Sequence, residues 1–204
     1  GPLLPGRQNP LGEIRVPLAP FTRATKLNLE VADSAKPAAF ANDWDLWVYP
    51  ATVATEPPRE VMIAEELNEA ALACLQKGGK VLLAPPIARI KGDRLGRIKM
   101  GLSSIFWNTA WTARQAPHTL GILCDPKHPA LRDFPTDSHS NWQWWELLTR
   151  SRPFIISDTP AKFRPVVYAI DDWVTNRKLA LLFEARVGNG ALLACAMDIT
   201  SDLD

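Results

Sequence analysis

Eighteen prolines in 204 residues constrain this chain more than any other feature. Proline has no amide proton and a fixed φ, so it bounds helices and central strands rather than continuing them. Here the prolines fall in nearly every connection: Pro50, Pro85-Pro86, and three between residues 125 and 137. The chain therefore reads as regular elements joined by rigid loops, not as a disordered linker. An apolar fraction of 47% and a charged fraction of 22% suit a folded soluble protein. The length fits one large domain, or one domain and a fragment of another. The N-terminus begins Gly1-Pro2 without an initiator Met, and Ile14 onward reads as if entered mid-domain. A piece of a longer protein is expected.

Net charge is +1, with the basic residues scattered. Nucleic acids and anionic membranes need a concentrated basic field, so neither is expected as a partner. No apolar run approaches the roughly 20 residues of a membrane span. The three cysteines, Cys74, Cys124 and Cys195, each lie inside an apolar stretch and are expected to be buried free thiols.

Ile14 and Val16, then Leu27, Leu29 and Val31, alternate with polar residues, the period of half-buried strands. Trp44–Tyr49 continues the pattern to Pro50, so residues 1–50 read as the terminal strands of a β-sandwich. Beyond Pro50 the period changes. Ile63, Leu67, Ala71, Cys74 and Leu75 form one stripe, which predicts a helix over residues 60–77 stopped by Gly78-Gly79. The strand 80–84 follows, and the two elements read as half of a βαβ unit with Trp47–Tyr49 as its first strand. Further strands are predicted at 119–124, 154–157, 166–170, 179–187 and 191–197, with a short helix at 141–149 capped by Ser138 or Ser140. The Gly-Asn-Gly between the last two strands marks a hairpin. Residues 51–204 thus read as an α/β domain.

Motifs for catalysis are missing: GxSxG, CxxC, HExxH and a glycine-rich phosphate loop are all absent from the sequence. Neither a metal site nor a cofactor is expected from three loosely spaced histidines. Asp171 and Asp172 are adjacent, which along a strand sends them to opposite faces, so alone they make no opposed carboxylate pair. What the sequence does carry is a set of polar-aromatic segments. The first holds Trp107, Asn108 and Trp111; the second His139, Asn141 and Trp144; the third Asp171, Asp172, Trp173, Asn176 and Arg177. Indole faces stack on sugar C–H surfaces while Asp, Asn, Arg and His hold hydroxyls, so these eleven residues are the candidate carbohydrate site. The opposing reading is that the tryptophans fasten long loops to the body. On a helix, Trp142 and Trp145 would share one face and Trp144 another.

The runs NDWDLWVYP, FWNTAW, HPALRDFPTDSHSNWQWWELL and VYAIDDWVTNRKLALLFEARVGNGALLACAMDI resemble the C-terminal region of bacterial glycoside hydrolase family 2-like proteins. These are large β-galactosidase-type enzymes and their sugar-binding-domain relatives. The resemblance implies a β-sandwich tail followed by a class I glutamine amidotransferase-like domain: a flavodoxin-like, mostly parallel sheet with flanking helices. It also implies a bacterial, secreted or periplasmic protein whose partners are an oligo- or polysaccharide of plant or host origin and the parent chain's catalytic domain. Two departures bear on chemistry. The family's glutamates lie in a barrel not present here, and the turn after residues 80–84 is Pro85-Pro86-Ile87, without a nucleophile. The expectation is a non-catalytic accessory or carbohydrate-binding region. A structural or oligomerisation domain is the alternative. An esterase using Ser103 or Ser104 with His139 and Asp171 is a third reading.

Overall fold

The computed structural model describes residues 4–37, 39–102 and 112–201. The chain divides into two compact units, Gly1–Thr52 and Val53–Asp204.

In the first unit, β1 (Thr25–Ala32) pairs antiparallel with β2 (Ala41–Val48). The two-residue period sets Leu27 and Leu29 beside Leu46 and Trp44 on one face. The other face is polar. Asn28 donates to Asp43 at 2.7 Å, and Lys26 pairs with Asp45 at 2.8 Å while lying over the Trp47 ring. Ile14 and Val16 form no strand and are exposed, since no described neighbour offers them a ladder. The second sheet of a sandwich is not among the described residues.

The second unit is one mixed sheet in the order β3-β4-β9-β8-β7-β5, with β6 also on β8. Its strands are β3 (Val61–Ala64), β4 (Lys80–Leu83), β5 (Thr119–Cys124), β6 (Phe154–Ile155), β7 (Val167–Asp171), β8 (Leu179–Val187) and β9 (Gly190–Cys195). Among the described residues only β3–β4 and β4–β9 are parallel. Every other pairing is antiparallel. The flavodoxin-like, amidotransferase-type parallel sheet with flanking helices is therefore not the fold. At the C-terminal end the reason is connection length: β7 and β8 are joined by residues 172–178 and β8 and β9 by Gly188-Asn189, too short for the crossover that parallel neighbours need.

Among the described residues the α-helices are short: α1 (Glu69–Gln76) and α2 (Trp145–Thr149). The helix expected over 60–77 is in fact a strand, a loop and a helix. Val61–Ala64 enters the sheet as β3, and α1 starts only where the Asn68 side chain accepts the Ala71 amide at 3.0 Å. The first strand of the βαβ unit is thus β3, whereas Trp47 belongs to β2. The helix expected at 141–149 begins as a 3-10 turn over Trp142–Trp144, with Asn141 at its N-cap and no side-chain cap from Ser138 or Ser140.

Two glycines hold the sheet to α1. Gly188 takes φ +59 at the first position of the two-residue β8–β9 turn, where a Cβ would be strained. A Cβ on Gly190 would lie 2.5 Å from the Gly79 carbonyl oxygen and 2.6 Å from that of Leu75, so the helix end rests directly on β9.

Ala71 and Leu75 of α1 pack on Ala64, Val81 and Leu192. The larger core gathers Trp144 and Leu148 with Ile122, Val167, Leu181 and Cys195. Strand alternation puts Ile63, Leu82 and Leu193 on the face away from α1, and there no described element covers them fully. A recess of about 780 Å³ lies over Val61, Leu82, Ala191 and Leu193, rimmed by Lys80, Glu184 and Arg186. All three cysteines are free, but only Cys195 is fully buried, and burial pushes its thiol up to about 11. Cys74 and Cys124 are half-buried, which corrects the expectation for both.

Candidate functional site

The loop after β7 is built around its two aspartates. Asp172 folds its carboxylate back onto the chain, its Oδ1 accepting the Val174 amide at 2.9 Å and the Thr175 amide at 2.8 Å. Asn176 then takes φ +51 and donates its amide to the Asp172 carbonyl at 2.9 Å. That left-handed step turns the chain back toward Asp171. Arg177 donates through Nε and Nη2 to both Asp171 oxygens at 2.8 Å each, and its amide reaches Oδ2 at 2.7 Å. A planar fork on a carboxylate is the strongest form of this contact.

Arg177 also ties in a second loop. Its Nη1 donates to Asp93 at 3.1 Å, and Asp93 closes the tight turn to Gly96. The Asp171 hydrogen bonds, set against burial, hold the Arg177 guanidinium above its ordinary value. Burial alone would raise Asp93. The Leu95 amide and Arg177 outweigh it, so the Asp93 carboxyl lies below the usual carboxylate range.

Against the candidate site, these contacts sort the third segment in two. Asp171, Asp172 and Arg177 are clamps whose polar atoms serve the loop itself. Trp173, 54% exposed, and Asn176 are presented to solvent. In the second segment His139 is exposed on the chain that runs beside β5, paired with Leu123. Asn141 is half-buried and donates to Asp137 at 3.2 Å. Trp144 is fully buried: its Nε1 donates to Thr136 at 2.8 Å and its ring meets Phe134 edge-on at 4.8 Å. It serves the core, while its neighbours Trp142 and Trp145 stand 63% and 56% exposed. Trp107, Asn108 and Trp111 lie outside the described residues, as do Ser103 and Ser104.

For the esterase reading, the structure pairs Asp171 with Arg177, which bonds both of its oxygens, and among the described residues no histidine hydrogen-bonds to it. Asp93, Asp171 and Asp172 converge on one guanidinium instead of facing each other across a cleft. Among the described residues no group of three His, Cys, Asp or Glu is placed to hold a metal ion, and no helix is long and apolar enough to cross a membrane.

Beside the clamp is a cavity of about 40 Å³ that the candidate residues only partly anticipate. It is lined by Leu95, Gly96 and Arg97, by Arg114 and His118, and by Asp172, Thr175 and Arg177 of the loop. His118 is held at both ring nitrogens. Its Nδ1 accepts the Lys99 amide and its Nε2 donates to the Arg114 carbonyl, both at 3.2 Å. The sequence offers a basic stretch over residues 87–101, but nothing in its spacing says that Arg97 would meet Arg114.

Residues 3–50 match the model of the family described as a domain of unknown function, DUF8488. Comparison with curated proteins gives no match. Residues 62–204 match the model of a second domain of unknown function, DUF8487, and the chain belongs to that family.

Proposed function

We propose that this chain is a non-catalytic, carbohydrate-binding accessory region of a multi-domain glycoside hydrolase, secreted or periplasmic, that degrades plant or host glycans. The observation that supports the reading is Trp173. A large indole stands in solvent on a loop held by a buried ion pair, and other residues of that loop line a small polar cavity. Stacking a sugar ring on such an indole removes apolar area from water, and a rigid platform loses little entropy on binding. The family 2-like resemblance supplies the parent enzyme in this reading. The catalytic domain of that parent is the second partner.

Trp173→Ala should weaken glycan binding at least tenfold while changing unfolding stability by no more than about 1 kcal/mol, the usual scale for a side chain outside the core. Calorimetric titration against a panel of plant and host oligosaccharides, paired with thermal melting, measures both. A large loss of stability with no glycan bound by the parent chain would sink the proposal.

A second reading, an interaction domain, draws on the exposed Ile63 and on the recess over the half-buried Leu82 and Leu193. If this face joins copies of the chain, sedimentation will show a dimer that Ile63→Lys converts to monomer. A monomeric parent at high micromolar concentration would discard this reading.

A further inference from the structure

The cavity at the 171–177 loop has a charge pattern that the carbohydrate reading does not by itself require. Arg177 is fully engaged by aspartates. Arg97 and Arg114 are not: neither guanidinium has an ion pair or hydrogen bond among the described residues, and both line the cavity. Arg97 is also close to Arg152, whose Nη1 is buried without an acceptor among the described residues. Burial, and then the Arg97 charge, hold the Arg152 guanidinium below its ordinary value. Arg152 does not line the cavity, and the two guanidiniums that do, Arg97 and Arg114, are short of acceptors and would be stabilised by an anion.

Backbone geometry points the same way. Ala113 and Arg114 sit consecutively in the left-handed region, at φ +50 and +69. Non-glycine residues hold that region only where surrounding contacts enforce it, and such strain clusters at ligand sites. Here the enforcing contacts are those of His118, which bonds the Arg114 carbonyl and the Lys99 amide. The loop is thus held in a costly shape that presents Arg114 to the cavity.

Size limits what can enter. About 40 Å³ is close to the room one or two water molecules take, far less than a pyranose ring needs. A single charged substituent fits. Trp173 does not line the cavity, but Asp172 and Thr175 of the same short loop do, so the exposed indole and the cavity belong to one loop.

We infer that the cavity bounded by Arg97, Arg114 and His118 receives the anionic substituent, carboxylate or sulfate ester, of an acidic sugar residue in the glycan. This rests on the carbohydrate reading and narrows its ligand to acidic polysaccharides. Arg97 and Arg114 would fork onto the anion's oxygens, with the Thr175 hydroxyl as a further donor.

The test titrates the full chain with four oligosaccharides: a uronate oligomer, its methyl ester, a sulfated oligomer and a matched neutral one. Arg97→Gln and Arg114→Gln are compared with the parent, and Arg114→Lys keeps charge without the fork. Acidic oligomers should bind at least tenfold more tightly than neutral or esterified ones, the scale of one charge-assisted contact. That preference should fall with salt and vanish in both Gln variants, with melting temperatures unchanged. Preference for the uronate over the sulfated oligomer, or the reverse, identifies the substituent. Equal affinity for neutral and acidic oligomers, unaffected by the Gln variants, overturns the inference and leaves the carbohydrate reading standing. Failure of every oligomer to bind overturns both.

Discussion

Trp144→Ala should lower the melting temperature of the second unit by about 10 °C, the largest effect expected from any single substitution in this chain. The indole is fully buried, so its removal loses transfer free energy and leaves a cavity, together about 3–5 kcal/mol. Around 150 residues, each kcal/mol moves the midpoint by roughly 2–4 °C. Two specific contacts are lost as well: the Nε1 hydrogen bond to Thr136 and the edge-on contact with Phe134. Trp144→Phe separates them from bulk, because it keeps an aromatic ring while deleting the donor. It should cost less than the alanine change, at about 1–3 kcal/mol. Thermal melts of both variants decide the matter, and an unchanged midpoint for Trp144→Ala would show that the indole is not a core residue.

The second large effect is expected at Arg177. Its side chain is 12% exposed against 1% for Asp171, and it meets three carboxylates at once. Removing one partner of a buried pair strands the other, a loss of about 3–5 kcal/mol. Arg177→Met should therefore destabilise the unit heavily and speed hydrogen exchange at the Val174 and Thr175 amides, which Asp172 holds. Pairing it with Asp171→Leu should recover part of the loss, because the stranded charge is removed too. Denaturant titration of the double variant tests this. Strict additivity of the two losses would mean that the pair is not coupled.

These two residues also show where sequence reading stops. The β8 strand was legible to its ends, since two long apolar runs flank a Gly-Asn-Gly that only a tight turn suits. Residues 61–64 were not. A short apolar run has the same look whether it enters a sheet or begins a helix, and periodicity alone cannot choose. Asn68 was the available signal, because its side chain is a natural helix cap. At Trp142–Trp145 the helical wheel correctly set Trp144 apart from its neighbours. It could not say which side would meet the core, and the aromatic richness favoured the wrong one as a sugar platform. The Asp171–Arg177 clamp was visible as residue types but not as a contact, because a loop has no period. Arg97, Arg114 and His118 came together only through folding, from segments that share no pattern. The mostly parallel sheet that the family resemblance implied gives way at β7–β8–β9, where the connections are too short to cross over.

β9 is the seam between the two kinds of pairing, with β8 antiparallel on one side and β4 parallel on the other. Its first partner is two residues away along the chain, while Leu82 must find Leu193 across more than half of the sequence. Contacts so unequal in reach form in order. The hairpin can close in microseconds as a local event, whereas docking of β4 must meet a long loop-closure entropy before any contact rewards it. Until that docking is complete, the β4 side of β9 is an open edge rich in Leu and Ala, able to add a strand from another molecule. The rate at which the seam closes therefore sets how long the newly made chain is exposed to aggregation.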